Sequence, residues 1–180
     1  MNTSTYISIG PNCDSAVRRV NKYNRKSPLY KTCPFDLMVT NLEGIIKCFE
    51  NDFADFCNLD YIAYDDTDVL PGKEILIRHS LYNFIFNHET PGHADLHLKE
   101  KWPGKDKFHF TKNNFEMFVQ RYNERINNLR NNIDKNKKIT FIYYHKKKED
   151  DNHEHLLEEL HNILKLKYPK KHFAFDVFAK

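Results

Sequence analysis

The sequence reads KITFIYY at residues 138–144, HLLEELHNILKLKY at 155–168 and HFAFDVF at 172–178. The first and third stretches are short, apolar and rich in β-branched and aromatic residues, which is typical of buried strands. The middle stretch carries leucine and isoleucine at helical spacing, which predicts an amphipathic helix. A βαβ unit consists of two parallel strands joined by such a helix through a right-handed crossover. We therefore expect an α/β fold, with a layered mixed sheet that ends in this βαβ unit.

A long amphipathic helix is predicted before the βαβ unit. Its apolar residues recur at the spacing of one helix face: Phe115, Phe118, Val119, Tyr122, Ile126, Leu129 and Ile133. Upstream the pattern is weaker, and it predicts strands at 74–77 and 81–86 followed by a long polar loop. Loops of this length often carry functional residues.

The beginning of the chain predicts a strand, a tight turn and a helix. Residues 5–9 form a β-prone run, Gly10-Pro11-Asn12 ends it, and residues 13–23 carry apolar side chains at helical spacing. Further along, Thr40-Asn-Leu-Glu43 has the residue types and the spacing of a capping box. We therefore expect a second helix to begin there.

Length and charge limit the possible classes of protein. A chain of 180 residues can bury one core but is short for two, so one domain over residues 1–180 is expected. Lysine and arginine number 28 against 25 aspartates and glutamates, and the net charge of +3 gives no reason to expect a nucleic-acid partner. Phenylalanine and tyrosine, with 14 and 10 copies, predict a core rich in aromatic rings.

The sequence also bears on location. Residues 1–10 have no basic flank before an apolar run, and the longest apolar stretches are far shorter than the roughly 20 residues of a membrane span. The cysteines form no CxxC pair and are expected to be reduced: Cys13, Cys33, Cys48 and Cys57. We therefore expect no membrane association and a cytoplasmic location, which would be the host cytoplasm for a viral gene.

Cys13 is the first candidate for catalysis. It follows Gly10-Pro11-Asn12 at the predicted passage from strand to helix. Unpaired N–H groups and the positive end of the helix dipole lower the pKa of a thiol, and the same amides can hold a developing oxyanion. This pattern favours a nucleophilic cysteine. A small buried residue that fills space at the turn is the alternative.

A thiol nucleophile needs a base. The middle of the chain offers five histidines: His79, His88, His93, His97 and His109. His88 follows the apolar strand predicted at 81–86 and precedes the polar loop, a place from which a side chain can reach a cleft. Asp36 and Asp95 are candidates for orienting such a histidine, and the sequence does not select between them.

Metal and cofactor sites are not expected. His93-Ala-Asp95-Leu-His97 could hold a metal through alternate residues, but histidine is common throughout this chain, so loop histidines explain the pattern. His88 and His93 lack the spacing of a zinc-protease motif, and Pro91 would break the helix that such a motif requires. The chain has five glycines and neither GxGxxG nor GxxxxGKS, which argues against dinucleotide and P-loop nucleotide binding.

Arg121 and Arg125 lie on the polar side of the predicted long helix. Together with Arg78 and Lys146, which are predicted at strand ends, they could bind a phosphate or a carboxylate if the side chains converge. A solvated helix face is the alternative. We treat Arg121 and Arg125 as candidate substrate-binding residues.

Two sequence motifs are spaced along the first part of the chain, Tyr6-Ile-Ser-Ile-Gly-Pro-Asn-Cys13 and Cys33-Pro-Phe-Asp36. They resemble the opening of a family of papain-like cysteine peptidases found in large DNA viruses and cellular genomes. Phe86-Asn-His-Glu89 and Arg121-Tyr-Asn-Glu-Arg125 are similar to later blocks of the family, so the resemblance covers residues 6–144. It implies an α+β papain-like fold as the alternative architecture.

The resemblance also implies roles for particular residues. Cys13 would be the nucleophile and His88 the base, with Asn12 or backbone amides at the helix start as oxyanion donors. Asp36 would orient or structure the site. The substrate would be a peptide or another acyl compound. Leu37 departs from the family's pattern, which has an aromatic residue at this position, and the departure affects the wall of the pocket.

Three functions are therefore compared. The first is a cysteine hydrolase built on Cys13, which requires that Cys13→Ala abolish activity while the protein stays folded. The second is a non-catalytic binding or host-interaction module, which predicts an unreactive Cys13. The third is a transferase or carbohydrate-active enzyme, in which substitution of Asp36 or Arg125 would reduce activity more than Cys13→Ser.

Overall fold

The computed structural model describes residues 4–24, 30–70, 74–90, 93–94, 96, 98–145 and 152–179. Within these ranges the strands are β1 (Ser4–Ser8), β2 (Ile62–Leu70), β3 (Glu74–His79), β4 (Phe84–Ile85), β5 (Lys138–His145) and β6 (His172–Ala179). The helices are α1 (Asn21–Asn24), α2 (Leu42–Glu50), α3 (Lys112–Lys135) and α4 (His153–Lys167). A π-helical segment, Ser15–Val20, leads directly into α1, and short 3-10 segments lie at Pro34–Leu37, Leu59–Tyr61 and Asn87–Glu89.

A parallel sheet contains the predicted βαβ unit. Its strand order is β1-β5-β6, and both neighbouring pairs are parallel. Helix α4 connects β5 to β6 and buries four leucines that the sequence pattern identified: Leu156, Leu157, Leu160 and Leu164. The α/β fold and its C-terminal βαβ unit are therefore confirmed.

A second sheet is antiparallel, with the order β2-β3-β4. Strand β4 is only two residues long, and Val39 extends its edge through two backbone hydrogen bonds with Ile85, of 2.9 and 3.0 Å. The parallel and antiparallel strands of the described residues thus lie in two small sheets. The sequence pattern anticipated strands at β3 and β4 but not the charged strand β2.

The core joins both sheets and is rich in aromatic rings, as the composition predicts. Phe35 is fully buried, and the ring centroids of Phe53, Phe56 and Phe84 lie 5.9, 6.3 and 6.0 Å from it. On the parallel sheet, Phe141 packs against Phe49 of α2. The segment that carries the Cys33-Pro-Phe-Asp36 motif is therefore fixed in the centre of the fold.

Helix α3 begins with three residues in the left-handed region, Asn113, Asn114 and Phe115, with φ of 53°, 54° and 61°. The predicted apolar face is buried from Phe118 onward except for Val119, which is half-buried. Arg125, which the sequence pattern predicts on the polar side of the helix, lies on the buried face instead, with only 5% of its surface exposed. None of the helices described above combines the length and the apolar character that a membrane span requires.

Candidate active site

The turn before Cys13 is fixed by contacts from two distant parts of the chain. Gly10 has φ of +95°, and a Cβ at this position would overlap with the hydroxyl oxygen of Thr40. Thr40 donates its backbone N–H to the Pro11 carbonyl (2.8 Å) and its hydroxyl to the Ile9 carbonyl (3.2 Å). The Tyr144 N–H, near the end of β5, donates to the Gly10 carbonyl at 3.0 Å. Glycine is needed here both for its backbone conformation and for the close approach of Thr40.

Cys13 lies between this turn and the helix, as predicted. Its carbonyl accepts the Val17 N–H at 2.9 Å, and the thiol is half-buried. Asn12 Oδ1 accepts the Asp14 N–H at 2.9 Å, which closes a local turn and leaves the Asn12 Nδ2 donors outside that bond. The hydroxyl of Ser15 donates to the Gly10 carbonyl at 2.5 Å. These bonds hold the thiol at a defined position beyond the end of β1.

The electrostatics of Cys13 differ from the expectation. Burial and the carboxylate of Asp14 raise the pKa of the thiol above its usual value of 9.0, and they outweigh the backbone and Arg18, which lower it. In the part of the chain that the structure describes, no hydrogen bond joins the Cys13 thiol to a histidine. The resting thiol is therefore protonated at neutral pH, because the helix start does not outweigh the loss of solvation.

Asp36 is buried within the 3-10 segment Pro34–Leu37. Its carboxylate accepts the Cys33 N–H at 2.8 Å and the Tyr30 hydroxyl at 2.9 and 3.1 Å. Burial raises the pKa of Asp36 from 3.8 to about 6, although these donors, the Arg125 charge and the backbone of Ser8 all oppose the change. Asp36 thus holds the segment in shape, and its nearest ionic neighbour is Arg125 rather than a histidine.

Glu89 is a central residue that the sequence analysis did not single out. The carboxylate is fully buried, and it lies 2.9 Å from Arg121 Nε and 3.5 Å from Arg125 Nη1. The Tyr122 hydroxyl donates to its other oxygen at 3.0 Å. Its burial raises the pKa of Glu89, and the two arginines lower it. The sequence contained one signal of this buried cluster. Arg125 follows Tyr122 by three residues and Phe118 by seven, a spacing that places it on the apolar face of α3.

His88 lies next to this cluster, on the 3-10 segment Asn87–Glu89. Its ring makes an edge-on contact with His93, with centroids 4.5 Å apart. Burial lowers the pKa of His88 to about 4, and the positive charges of His93, Arg125 and Arg121 add to the effect. Its Nε2 atom is buried and has no hydrogen-bond partner in the described structure. His88 is therefore neutral at pH 7, with a lone pair or proton that no described protein group uses.

An open groove of about 450 Å³ runs beside α3. It is lined by Tyr30, Lys31, Thr32, Leu37, Arg121, Glu124, Arg125 and Asn128. Both candidate substrate-binding arginines thus line one groove, next to the buried Asp36 and Glu89. Leu37, the position where the sequence departs from the family pattern, forms part of the wall.

The structure brings some of the candidate residues together and leaves others apart. Arg125 lies close enough to both Asp36 and His88 to affect their pKa values. Arg78 instead reaches Asn83, at 3.5 Å. Asp95, His97 and Lys146, named as candidates above, lie outside the described residues. Within the described ranges, no group of three histidine, cysteine, aspartate or glutamate side chains is arranged to hold a metal ion.

Comparison with known proteins gives the family of this chain. A search of curated proteins and a search of solved structures each found no match. A family model with the description "Putative papain-like cysteine peptidase (DUF1796)" matches residues 4–178. This match confirms the resemblance seen in the two N-terminal motifs. Because it spans nearly the whole sequence, the chain belongs to the family that this description names.

Proposed function

We propose that the protein is a cysteine hydrolase in which Cys13 is the nucleophile and His88 is the base. The observation that carries the proposal is the position of Cys13, half-buried at the turn from a parallel strand into a helix. Thr40 and Tyr144 hold this turn from distant parts of the chain. A strand-to-helix turn presents a nucleophile beside the N–H groups that an oxyanion needs. Membership of a peptidase family supports the reaction class.

The reaction would proceed in two steps. His88 takes the thiol proton as the Cys13 sulfur attacks the acyl carbon, and the oxyanion is held by Asn12 Nδ2 and backbone N–H groups of the turn. The leaving group departs with the proton from His88, and an acyl thioester remains. Water, deprotonated by His88, then attacks the thioester, and the thiol recovers its proton as the acid product leaves.

The pKa directions at this site favour proton transfer during attack over a preformed thiolate. The pKa of Cys13 is raised, so the resting group is a thiol. The pKa of His88 is lowered to about 4, so its ring is neutral at pH 7 but is a weak proton acceptor, and the proposal requires that bound substrate raise this pKa. The proposal requires that Cys13 and His88 come within hydrogen-bond distance when substrate is bound.

Hydrolysis of 4-nitrophenyl acetate by purified variants tests this proposal. We expect Cys13→Ala to abolish turnover and His88→Asn to reduce it by at least about 100-fold, the usual contribution of a general base. Cys57→Ser is the matched control, because Cys57 is also half-buried and burial raises its pKa to about 11. Wild-type turnover by a folded Cys13→Ala protein would refute the role of Cys13. Circular dichroism verifies folding of each variant.

Non-catalytic binding is the second candidate function. It is favoured by the raised pKa of Cys13 and by the lack of a hydrogen bond from its thiol to any described histidine. In that case the motifs around Gly10 and Asp36 would serve only to hold the fold. The wild-type protein would then hydrolyse the ester no faster than Cys13→Ala, while the groove beside α3 would still bind a ligand.

A further inference from the structure

We propose that the groove beside α3 is a binding site for a phosphate or carboxylate group, which Arg125 and Arg121 would hold. This inference goes beyond the proposed hydrolase, because no part of it depends on Cys13. The groove could take an anionic substituent of a substrate, or an anion that has no part in catalysis. The inference rests on the contacts of the two guanidinium groups and on the N–H donors that have no partner among the described residues.

Arg125 carries most of the argument. Its side chain is 6% exposed, yet its hydrogen bonding within the described structure consists of one contact, from Nη1 to Glu89 at 3.5 Å. The guanidinium lies over the Tyr122 ring, 5.0 Å from the centroid, and it lines the groove. An arginine has five N–H donors, and the Arg125 donors that Glu89 does not use are not among the fully buried unpaired atoms, so they are accessible from the groove. The remaining donors are therefore suited to an oxygen-rich group in the groove.

Arg121 lies one helical turn before Arg125 and faces the same groove. Its Nε atom lies 2.9 Å from Glu89 Oε1, but the pair does not meet hydrogen-bond geometry, so this N–H has no hydrogen-bond partner in the described part of the chain. The guanidinium is also placed over the Phe110 ring, at 4.7 Å. Contact with the aromatic ring fixes the plane of the guanidinium group. A guanidinium group in a fixed plane can bind a carboxylate or phosphate through two parallel hydrogen bonds.

The charged side chains that line the groove are three positive and one negative. Glu89 is fully buried and is a single charge shared by two guanidinium groups. Asp36 is not part of the lining; its oxygens accept hydrogen bonds from Tyr30 and Cys33, and its charge acts on Arg125 from the buried side. Lys31 adds a positive charge to the lining, and Glu124 is the carboxylate that lines it. The volume of about 450 Å³ is within the usual range for small-ligand sites.

Titration of the Cys13→Ser protein with inorganic phosphate, at constant ionic strength, tests the inference. Using this background separates the result from any failure of the hydrolase proposal, because no turnover is needed. We expect saturable changes in the ¹⁵N–¹H spectrum at Lys31, Thr32 and Asn128. Arg125→Gln should weaken binding at least about tenfold, as expected for charge-assisted hydrogen bonds. Arg130→Gln is the matched control, because Arg130 also lies on α3 but pairs with Asp52 outside the groove; its effect should stay within about twofold.

A second variant keeps the test decisive if Arg125→Gln fails to fold. Thr32→Glu places a negative charge at an exposed position of the groove lining and should also weaken binding. Titration with N-acetylglycine and with N-acetylglycinamide identifies the group that is bound. Binding of phosphate, of N-acetylglycine or of both supports the site and names its ligand class. Absence of saturable binding by either anion, or equal binding of the neutral amide, would overturn the inference.

Discussion

Gly10 is the residue on which the geometry of Cys13 depends most directly. We predict that Gly10→Ala lowers the free energy of unfolding by about 3 kcal/mol, because it combines a left-handed backbone with an overlap against the Thr40 hydroxyl. Urea unfolding followed by circular dichroism measures the effect. Gly104→Ala is the matched control, since Gly104 has φ of +75° but nothing within 4 Å of an added Cβ. The control should cost about 1 kcal/mol, and equal costs for the two variants would contradict the overlap with Thr40.

Asp36 gives a prediction about pH. Its pKa rises from 3.8 to about 6 on folding, so the stability due to its protonated form is present below pH 3.8 and is lost as pH rises through 6. A tenfold change in proton affinity corresponds to about 1.4 kcal/mol, so the ionised carboxylate costs about 3 kcal/mol at pH 7. Asp36→Asn removes this titration. The unfolding free energy of wild type, relative to Asp36→Asn, should therefore fall by about 2.5 kcal/mol between pH 4 and pH 7, because part of the loss occurs below pH 4.

The comparison with Asp36→Asn cancels most of the titration of other groups, since both proteins share them. Urea unfolding at several pH values between 4 and 7 gives the difference. If the difference is constant over this range, burial does not dominate the electrostatics of Asp36. If it changes in the opposite direction, the Tyr30 and Arg125 contacts hold the charged form more strongly than burial disfavours it.

Residue spacing could indicate parts of the candidate site but not how they interact. The position of Cys13 at a strand-to-helix turn followed from Gly10-Pro11-Asn12, because turn residues act locally. The direction of its pKa did not follow, since it depends on burial and on Asp14. Glu89 was missed for a related reason: its partners Arg121 and Arg125 are more than 30 positions away. The spacing of Arg125, three residues after Tyr122 and seven after Phe118 on the apolar face of the predicted helix, is the signal that should have prompted a search for a buried carboxylate.

At the scale of the element, the start of α2 was predicted correctly, but the residue that caps it was not. The capping-box spacing assigned the cap to Thr40, but the structure places it at Asn41, whose side chain accepts the Gly44 N–H at 2.7 Å. The Thr40 hydroxyl bonds to Ile9 instead. The two residue types are both good caps, so a tertiary contact decides between them. Local sequence alone could not contain that information.

Asn41 should contribute more than an ordinary cap. Its Nδ2 also donates to the carbonyls of Tyr82 and Asn83, each at 3.0 Å, which ties α2 to the turn before β4. We predict that Asn41→Ala costs about 2 kcal/mol, from one cap and two further hydrogen bonds. Asn41→Ser keeps a capping oxygen but lacks the two donors, and should cost about half as much. Urea unfolding distinguishes the variants. A negligible cost for Asn41→Ser would show that the donors to the turn contribute nothing, and equal costs for the two variants would show that the cap contributes nothing.

Other elements were predictable where periodicity is strong. The βαβ unit and α3 followed from apolar spacing, because their buried faces are long and regular. Strand β2 was not predicted, because Ile62–Leu70 carries three aspartates and lacks a regular alternation. Its pairing with β3 comes from the neighbouring strand rather than from its own sequence. Strand β4 is two residues long, which is too short for its bounds to be read from a pattern.

At the scale of the whole molecule, a single cluster of buried residues spans both sheets. It includes Ile7 and Phe141 from the parallel sheet, and Ile77 and Phe84 from the antiparallel sheet. Between them lies the segment 33–40, which contributes Phe35 to the core and bonds both to the Gly10 turn and to β4. Among the described residues these contacts join the two sheets in one core, and one domain over residues 1–180 stays a prediction.

The prediction of a single cooperative domain can be tested through the reactivity of the buried cysteine thiols. Cys33 and Cys48 are both fully buried, one beside α3 and the other within α2. If the chain unfolds as a unit, the two thiols become reactive only in the unfolded state and at the same rate. Alkylation by iodoacetamide in increasing urea below the transition, followed by peptide mass mapping, should give one free energy of opening for both. Cys13 is half-buried and should react without global unfolding. Exposure of Cys48 at much lower urea than Cys33 would show that α2 opens separately, and the prediction of a single cooperative unit would be wrong.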